Sequence, residues 1–326
     1  IFTILFLLIS SYGADEADLT EGEKAETGKK FLARLKNIFL VSSAVVLVIN
    51  ILQLMGVWLF PWDFTKTITF NTIGTSNALA LFFGLTFVLV FATLYGKKMD
   101  ASLTQKLLMI YVLILAIVLI LMRFWLAFAG VGAATLLLLL AEFSYKKNDG
   151  LRQIILPMLV VIVSLFFIIW NFFPFASLRF LPSFNLPPEV TPSPSATWSI
   201  VKQTTNESLK NFLVGSGPVS FQYQYGLYRV SELNLTSFWS VRFVQGFNAL
   251  LTHLIDWGVL GTLMWFLFLL AALRQALKRA KTQLPIGLGL VYLILILFFY
   301  PQNAVLYFFI FVFAAMLCNP LSGGEQ

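Results

Sequence analysis

A single polar stretch interrupts a chain that otherwise consists of long apolar runs. It covers Ala176 to Gly246, and the apolar segments on both sides are long enough to cross a bilayer. Hydrophobic residues make up 59% of the chain and charged residues 11%, a balance that water-soluble domains do not have. Inside a membrane, backbone hydrogen bonds must be satisfied internally, as helices do. We therefore predict an all-α, polytopic transmembrane helical bundle with one large loop outside the membrane.

Apolar segments predict where the helices lie. The first, Ile1 to Tyr12, is shorter than the roughly twenty residues that a spanning helix needs, and we interpret it as the end of a truncated helix. Charged loops or turns separate the others. They are Asn37–Phe60, Asn77–Tyr95, Leu107–Met122, Phe124–Phe143, Ile154–Phe175, Asn248–Leu273, Ile286–Phe299 and, after a break at Tyr300 to Asn303, Val305–Leu317.

The cations are concentrated in loops on one side of these segments. Cytoplasmic loops hold an excess of Lys and Arg, so these loops are predicted to face the cytoplasm and the polar stretch to face the other side. The net charge of +7 mostly reflects this asymmetry, which indicates contact with membrane lipids rather than with nucleic acid. The cations concerned are Lys29, Lys30, Arg34, Lys36, Lys97, Lys98, Lys106, Lys146, Lys147, Arg152, Arg274, Lys278, Arg279 and Lys281.

The large loop is predicted to contain short amphipathic structure. Its five prolines within Leu181 to Ser195 favour extended chain. Thr197 to Leu213 has the pattern of an amphipathic helix on the membrane surface, with Ser195 as cap and Gly215 as stop. The predicted regions are a truncated helix end (1–12), a cytoplasmic loop (13–36), transmembrane helices (37–175), the extracytoplasmic loop (176–247), further transmembrane helices (248–318) and a cytoplasmic tail (319–326).

A flexible turn and a group of aromatic residues follow that helix. Gly215 and Gly217 allow the backbone to turn sharply. Interfacial aromatic residues often only anchor a protein at headgroup depth, but aromatics that alternate with cations also suit a sugar ring or a phosphate. Both interpretations stay open. The predicted aromatic surface consists of Phe221, Tyr223, Tyr225 and Tyr228 and ends at Arg229.

Few side chains could hold a metal. Cys318 is the single cysteine and His253 the single histidine, so no disulfide within the chain and no cysteine- or histidine-based metal site is expected. The sequence also has no dinucleotide-binding or P-loop fingerprint. We predict no metal and no cofactor.

Short motifs occur in a recognisable order along the chain. They are Asn71–Ala80 at the start of a span, Leu121-Met122-Arg123 at the end of another, the Trp198 helix with the turn Gly215-Ser216-Gly217-Pro218 and Phe221, and Asn248 with Asp256-Trp257-Gly258 and Gly261 at the entry to a later span. This series resembles the O-antigen ligase and O-antigen polymerase superfamily. That family shows a Gly-x-x-Asn-x-x-Ala span start, a Ser-Arg pair, a GxGxxxF turn and a His-Asn…Glu-x-Gly-x-x-Gly entry.

The resemblance implies a metal-independent, inverting glycosyltransferase in the bacterial cytoplasmic (inner) membrane. It would move a glycan from an undecaprenyl pyrophosphate carrier to a glycan, lipid or protein acceptor at the outer face. The leaving pyrophosphate gains negative charge, which guanidinium groups must offset where no metal is bound. Arg123, set between two apolar runs, is the first candidate, followed by Arg242 and Arg229. Alternatively, Arg123 only reaches for lipid headgroups at a helical hairpin.

The acceptor hydroxyl needs a base, and histidine is the usual choice near neutral pH. Phe247 occupies the position of the family's histidine and cannot take a proton, whereas Asn248 matches the next residue of that motif. His253 and Asp256 are the remaining catalytic candidates. Alternatively, His253 is a packed and hydrogen-bonded residue of the interior. The alternative role of Asp256 is to pair with an arginine.

Two functions therefore stay open. The first is a glycan ligase or polymerase; the second is a catalytically degenerate relative that serves as a membrane scaffold or lipid-glycan-binding subunit of an envelope complex. The catalytic candidates are Arg123, Arg242, Asp256 and His253. The substrate-binding candidates are Arg229, Tyr225, Tyr228, Gly215, Gly217, Trp198, Asn248 and Glu232.

Overall fold

A computed structural model describes residues 2–12, 21–67, 69–95, 102–144, 150–173, 189–229, 231, 238–280 and 282–319. Within these ranges the regular structure is helical and no strand occurs, which confirms the all-α prediction for this part of the chain. The helices are α1 (Phe2–Ser11), α2 (Glu21–Leu54), α3 (Ser76–Leu94), α4 (Leu103–Met122), α5 (Trp125–Ser144), α6 (Gly150–Phe172), α7 (Pro194–Glu207), α8 (Leu209–Val214), α9 (Phe221–Tyr228), α10 (Ala249–Lys278), α11 (Leu284–Leu297) and α12 (Ala304–Cys318).

Length and composition make this a membrane protein. Each predicted apolar segment coincides with one of the helices over most of its length, although Asn37–Phe60 continues beyond the end of α2 at Leu54. Within the described ranges, five helices are long and apolar enough to cross a membrane. These candidate spans are Glu26–Leu54, Ser76–Leu94, Leu103–Met122, Ile154–Phe172 and Ala249–Lys278. The helices α1, α11 and α12 are apolar but shorter, as is the apolar part of α5.

The described chain divides into two compact units. The first unit comprises Ile1–Pro188, Leu273–Leu293 and Val305–Gln326, and the second comprises Glu189–Ala272 and Ile294–Ala304. In the first unit, α3 is buried on all sides and packs against α4 and α5. Its apolar sequence has no polar face, which is typical of a helix surrounded by other helices.

Glycines let the helices of the first unit approach closely. The Tyr292 hydroxyl donates a hydrogen bond to the Leu81 carbonyl at 2.9 Å. A Cβ atom at Gly84 or Gly130 would overlap the Tyr292 ring. Small residues at such contacts are typical of helix packing in membranes, where close backbone approach replaces the hydrophobic effect.

The second unit is organised around an apolar core. This core consists of Ile200 and Val201 of α7, Phe221 and Tyr225 of α9, Phe243 of the segment before α10, and Ile255 of α10. The prediction of an aromatic surface is therefore wrong for Phe221 and Tyr225, which are buried. Their spacing of four residues on a helix places both on the face that packs against α7 and α10.

Three predicted boundaries need correction. Ser193, not Ser195, caps α7, because its hydroxyl accepts a hydrogen bond from Ala196 N at 3.1 Å and Pro194 occupies the first helical position. Ser208 has extended backbone that divides the predicted helix, and its side chain caps α8. The stop at Gly215 is confirmed. Finally, α2 begins at Glu21, so residues 21–36 of the predicted loop are helical.

Candidate functional site

Two glycines bring separate backbone segments of the second unit into direct contact. Gly258 interrupts α10 with φ 64 and ψ −169, and Gly215 ends α8 with φ 79 and ψ −178. Both conformations belong to a region that essentially only glycine occupies. A Cβ atom on either glycine would lie 2.5 Å from the backbone nitrogen of the other. We call this contact, formed by Gly215–Gly217 and Asp256–Gly258, the glycine clasp.

Hydrogen bonds complete the glycine clasp. Ser216 N donates to the Ile255 carbonyl at 2.8 Å, and Gly217 N donates to the Asp256 carbonyl at 3.1 Å. Carbonyls at a helix break lack their usual partners within the helix, and the turn supplies donors to them. The predicted turn at Gly215 and Gly217 is thus present, and its partner is the predicted Asp-x-Gly segment.

Asp256 has a structural role next to the glycine clasp. Its buried carboxylate accepts hydrogen bonds from the Ser220 hydroxyl at 3.2 Å and from Phe221 N at 3.1 Å. These donors lie at the start of α9, where a negative charge also interacts favourably with the helix dipole. Asp256 therefore holds α9 against α10.

Replacing Asp256 by alanine is expected to destabilise the protein by about 1–3 kcal/mol, because the buried Phe221 N–H loses its acceptor. Asp256→Asn keeps an acceptor oxygen and should cost less. The thermal unfolding midpoint of the purified protein in detergent would measure both effects. An Asp256→Ala variant with unchanged stability but no activity would instead assign Asp256 to chemistry.

A polar network ties the other elements to the clasp. Gln224 Nε2 donates to the Ser216 hydroxyl at 2.9 Å, and the Thr204 hydroxyl donates to Gln224 Oε1 at 3.4 Å. The Thr197 hydroxyl accepts a hydrogen bond from Phe247 N at 3.0 Å, and the Thr252 hydroxyl accepts one from Gly246 N at 3.0 Å. Hydroxyl and amide side chains thus fix the chain that leads into α10. None of these roles was predicted.

His253 is fully buried within the second unit. Its side chain is 0% exposed, and its ring stacks on Trp257 with centroids 3.9 Å apart. Gln302 Nε2 lies 2.9 Å from His253 Nδ1. This environment matches the predicted alternative of a packed and hydrogen-bonded histidine, whereas its catalytic role stays untested.

The loop between α11 and α12 holds the start of α10. Asn248 caps α10 by accepting from Leu251 N at 2.9 Å, and its amide nitrogen donates to the Phe298 carbonyl at 2.6 Å. Ala249 N donates to the Tyr300 carbonyl at 2.9 Å. This cap gives a structural reason for Asn248, which was predicted to bind substrate.

Sequence reasoning missed a carboxylate beside this loop. The hydroxyl of buried Tyr300 donates to Glu189 Oε2 at 2.8 Å, and Glu189 itself is half-buried. Through its carbonyl and its hydroxyl, Tyr300 therefore bridges Ala249 and Glu189. The Tyr300 to Asn303 break in the apolar sequence was the only local signal of this arrangement.

The aromatic candidates have different environments. Trp198 is 55% exposed and Tyr223 is 67% exposed, so both present rings to the surroundings of the unit. Burial raises the pKa of the Tyr225 phenol, and the charge of Arg229 partly offsets this rise. Burial also raises the pKa of Tyr228, as does Glu207, to which its hydroxyl is hydrogen-bonded.

Arg123 caps α4 in the first unit. It adopts left-handed backbone with φ 51 and ψ 30, and its nitrogen donates to the Leu119 carbonyl. The guanidinium carbon lies 5.0 Å from the centroid of the Trp170 ring. Arg229 is half-buried and Arg242 exposed, and both belong to the second unit. Convergence of Arg123 and Arg242 on one ligand stays a prediction.

Some of the predicted residues lie outside the described ranges. Glu232 belongs to the residues that the structure does not describe, and so do Pro182, Pro187 and Pro188 of the large loop. Within the described ranges, no group of three or more His, Cys, Asp or Glu side chains is placed to hold a metal ion.

Comparison with models of known protein families gives no match to this chain, and comparison with curated proteins gives none either. The resemblance to the O-antigen ligase and polymerase superfamily therefore rests on its motifs and on their order.

Proposed function

We propose that this protein transfers a glycan from an undecaprenyl pyrophosphate carrier to an acceptor at the outer face of the bacterial cytoplasmic membrane. The observation that carries the proposal is the placement of Arg123 between α4 and α5. A cation beside apolar helices is costly, and cations at such positions commonly have a functional role. Left-handed backbone at a residue other than glycine adds a further cost of about 1–3 kcal/mol.

The position of Arg123 over an aromatic ring suits a phosphate ligand. The guanidinium carbon lies over the Trp170 ring, and the N–H donors of a guanidinium lie in its own plane. Phosphate oxygens bind in that plane, often in pairs. As the glycosidic bond breaks, the leaving pyrophosphate becomes more negative, so Arg123 would bind the transition state more strongly than the substrate.

The distribution of cations gives the orientation in this proposal. We infer from the sequence that the loops rich in Lys and Arg face the cytoplasm and that the polar stretch faces the outer side. Carrier-linked glycans would then meet Arg123 at the outer leaflet, with membrane lipids around the apolar helices.

Glu189 is the proposed base for the acceptor hydroxyl. The family's histidine position holds Phe247, whereas His253 is fully buried and the Asp256 carboxylate is hydrogen-bonded to the start of α9. Glu189 is half-buried and is tied through Tyr300 to the start of α10, two residues beyond Phe247. Its carboxylate would take the proton of the acceptor hydroxyl.

Glu189→Gln is expected to lower the rate of transfer at least about 100-fold, because the amide cannot accept the proton. The affinity for the pyrophosphate donor should stay unchanged. Glu207→Gln is the matched control, since Glu207 is an exposed carboxylate of the same unit that is also hydrogen-bonded to a tyrosine. A normal rate with Glu189→Gln would exclude Glu189 as the base.

The proposed function itself is tested with the purified full chain in vesicles. The assay follows transfer of labelled glycan from undecaprenyl pyrophosphate and release of the free carrier. We expect transfer without added metal. Donor binding without transfer, over a range of acceptors, would contradict the enzymatic proposal.

A second candidate function is a non-catalytic membrane scaffold or lipid-glycan-binding subunit. Three observations favour it. Phe247 leaves the family's base position without a titratable group, His253 is fully buried, and the Asp256 carboxylate is hydrogen-bonded to the start of α9. This candidate predicts donor binding or copurification of envelope proteins, with no turnover.

A further inference from the structure

Apolar side chains project from the elements on both sides of the glycine clasp. Leu209, Phe212 and Val214 of α8 are exposed, with Leu209 at 74%. Val219, just beyond Gly217, is 76% exposed and has left-handed backbone with φ 59. We call Leu209, Phe212, Val214 and Val219 the apolar tip. In water such a group of large exposed side chains is unfavourable and marks an interaction surface.

The glycine clasp fixes the depth of the apolar tip relative to α10. Between Asp256 and Arg274, α10 contains no charged residue. The uncharged run of α10 between Asp256 and Arg274 has 17 residues and is therefore about 25 Å long, a little less than the hydrocarbon thickness of a bilayer. Because Asp256 bounds this run, the break at Gly258 lies near one edge of the hydrocarbon.

Gly215–Gly217 lies against this edge. Ser216 N and Gly217 N bond to the carbonyls of Ile255 and Asp256, directly before the break. The end of α8 and Val219 lie next to these residues in the chain. The apolar tip is therefore held near the level at which lipid headgroups meet acyl chains.

A cation within the apolar tip agrees with a lipid surface. Lys210 lies among the apolar residues of α8, and its side chain is exposed. Cations at this level interact favourably with anionic headgroups. Gln203 and Asn206 of α7 are exposed and polar, which suits the water side.

We propose that the apolar tip inserts into the interfacial region of one leaflet, with the lipid surface as its partner. Leu209, Phe212 and Val219 enter the boundary between headgroups and acyl chains, and Lys210 contacts the headgroups. A β-branched residue in left-handed backbone, as at Val219, is unfavourable in itself, and burial of its side chain in lipid offsets that cost. This inference does not depend on glycan transfer.

The test measures the depth of single labelled cysteines in the full chain. Cys318 is replaced by serine, and one cysteine is introduced at Leu209, at Val219 or, as the matched control, at Gln203. Each variant is labelled with the fluorophore NBD and reconstituted into vesicles of phosphatidylethanolamine and phosphatidylglycerol. Lipids with a doxyl group near the headgroup quench labels in the leaflet, and a soluble nickel chelate quenches labels in water.

At Leu209 and Val219 we expect blue-shifted emission and at least about twofold stronger doxyl quenching than at Gln203. The nickel chelate should quench the label at position 203 most strongly. Nickel quenching at Leu209 and Val219 equal to that at Gln203 would overturn the proposal. Protection of these two labels from both quenchers would overturn it as well, because it would indicate a protein partner or a second copy of this chain.

Discussion

A Gly215→Ala variant is expected to lose about 2–6 kcal/mol of unfolding free energy, the sum of backbone strain and overpacking of about 1–3 kcal/mol each. The strain arises from φ 79 and ψ −178 at this residue. The overpacking arises because the new Cβ would lie 2.5 Å from Gly258 N and 2.6 Å from the Asp256 carbonyl. Backbone atoms at a clasp cannot move aside as the end of a flexible side chain can.

Two other glycines provide matched controls for Gly215→Ala. A Cβ atom at Gly217 would meet nothing within 4 Å, although φ is +115, so Gly217→Ala tests strain without overpacking and should cost less. Gly226 lies within α9 with open space around it, so Gly226→Ala should be neutral or stabilising by up to about 1 kcal/mol.

Thermal unfolding in detergent and trypsin cleavage at Lys202 and Lys210 would measure these effects. The expected order of stability is Gly226→Ala, then Gly217→Ala, then Gly215→Ala. If Gly215→Ala were as stable as Gly226→Ala, the backbone contact between Gly215 and Gly258 would be absent from the folded protein.

Arg123→Ala is expected to reduce glycan transfer by about 100- to 1,000-fold, because the charge on the leaving pyrophosphate loses a preorganised donor. Arg123→Lys keeps the charge but not the planar fork, so its loss should be intermediate. The measurement is the initial rate of carrier release in vesicles, at a donor concentration that saturates the wild-type protein.

Lys66→Ala is the control for charge removal. Lys66 is a cation of the first unit whose exposed ion pair with Asp63 spans 2.9 Å, and such pairs contribute little. The initial rate of carrier release by the Lys66→Ala variant should stay within about twofold of the wild-type rate. A parallel unfolding measurement separates lost chemistry from lost folding. Full activity of Arg123→Ala in a stable protein would restrict Arg123 to contact with headgroups.

Local patterns predicted most of the helices. The apolar runs are long and uninterrupted, so few other structures could satisfy their backbone in a membrane, and the predicted segments fall on helices. Gly215 was found from its position at the end of an amphipathic run. Its contact with Gly258 could not be predicted, because nothing local joins residues that are far apart in the sequence.

The aromatic residues show why the candidate site was harder to predict. Phe221, Tyr225 and Tyr228 have the spacing of one helical face, yet they were predicted, together with Tyr223, to form an aromatic surface. Sequence periodicity indicated neither which face packs inward nor that Ile200 and Ile255 cover Phe221 and Tyr225. The Glu189–Tyr300 hydrogen bond likewise joins distant residues, and the proline-rich context of Glu189 gave no sign of it.

Binding of undecaprenyl pyrophosphate to the purified protein in nanodiscs tests the phosphate site at Arg123 most directly. We expect the wild-type protein to bind it, Lys66→Ala to bind it equally well, and Arg123→Ala to bind it at least about tenfold more weakly, as expected for the loss of a charged hydrogen bond. Equal affinity of Arg123→Ala and the wild-type protein, or no binding by the wild-type protein, would contradict a pyrophosphate site at Arg123.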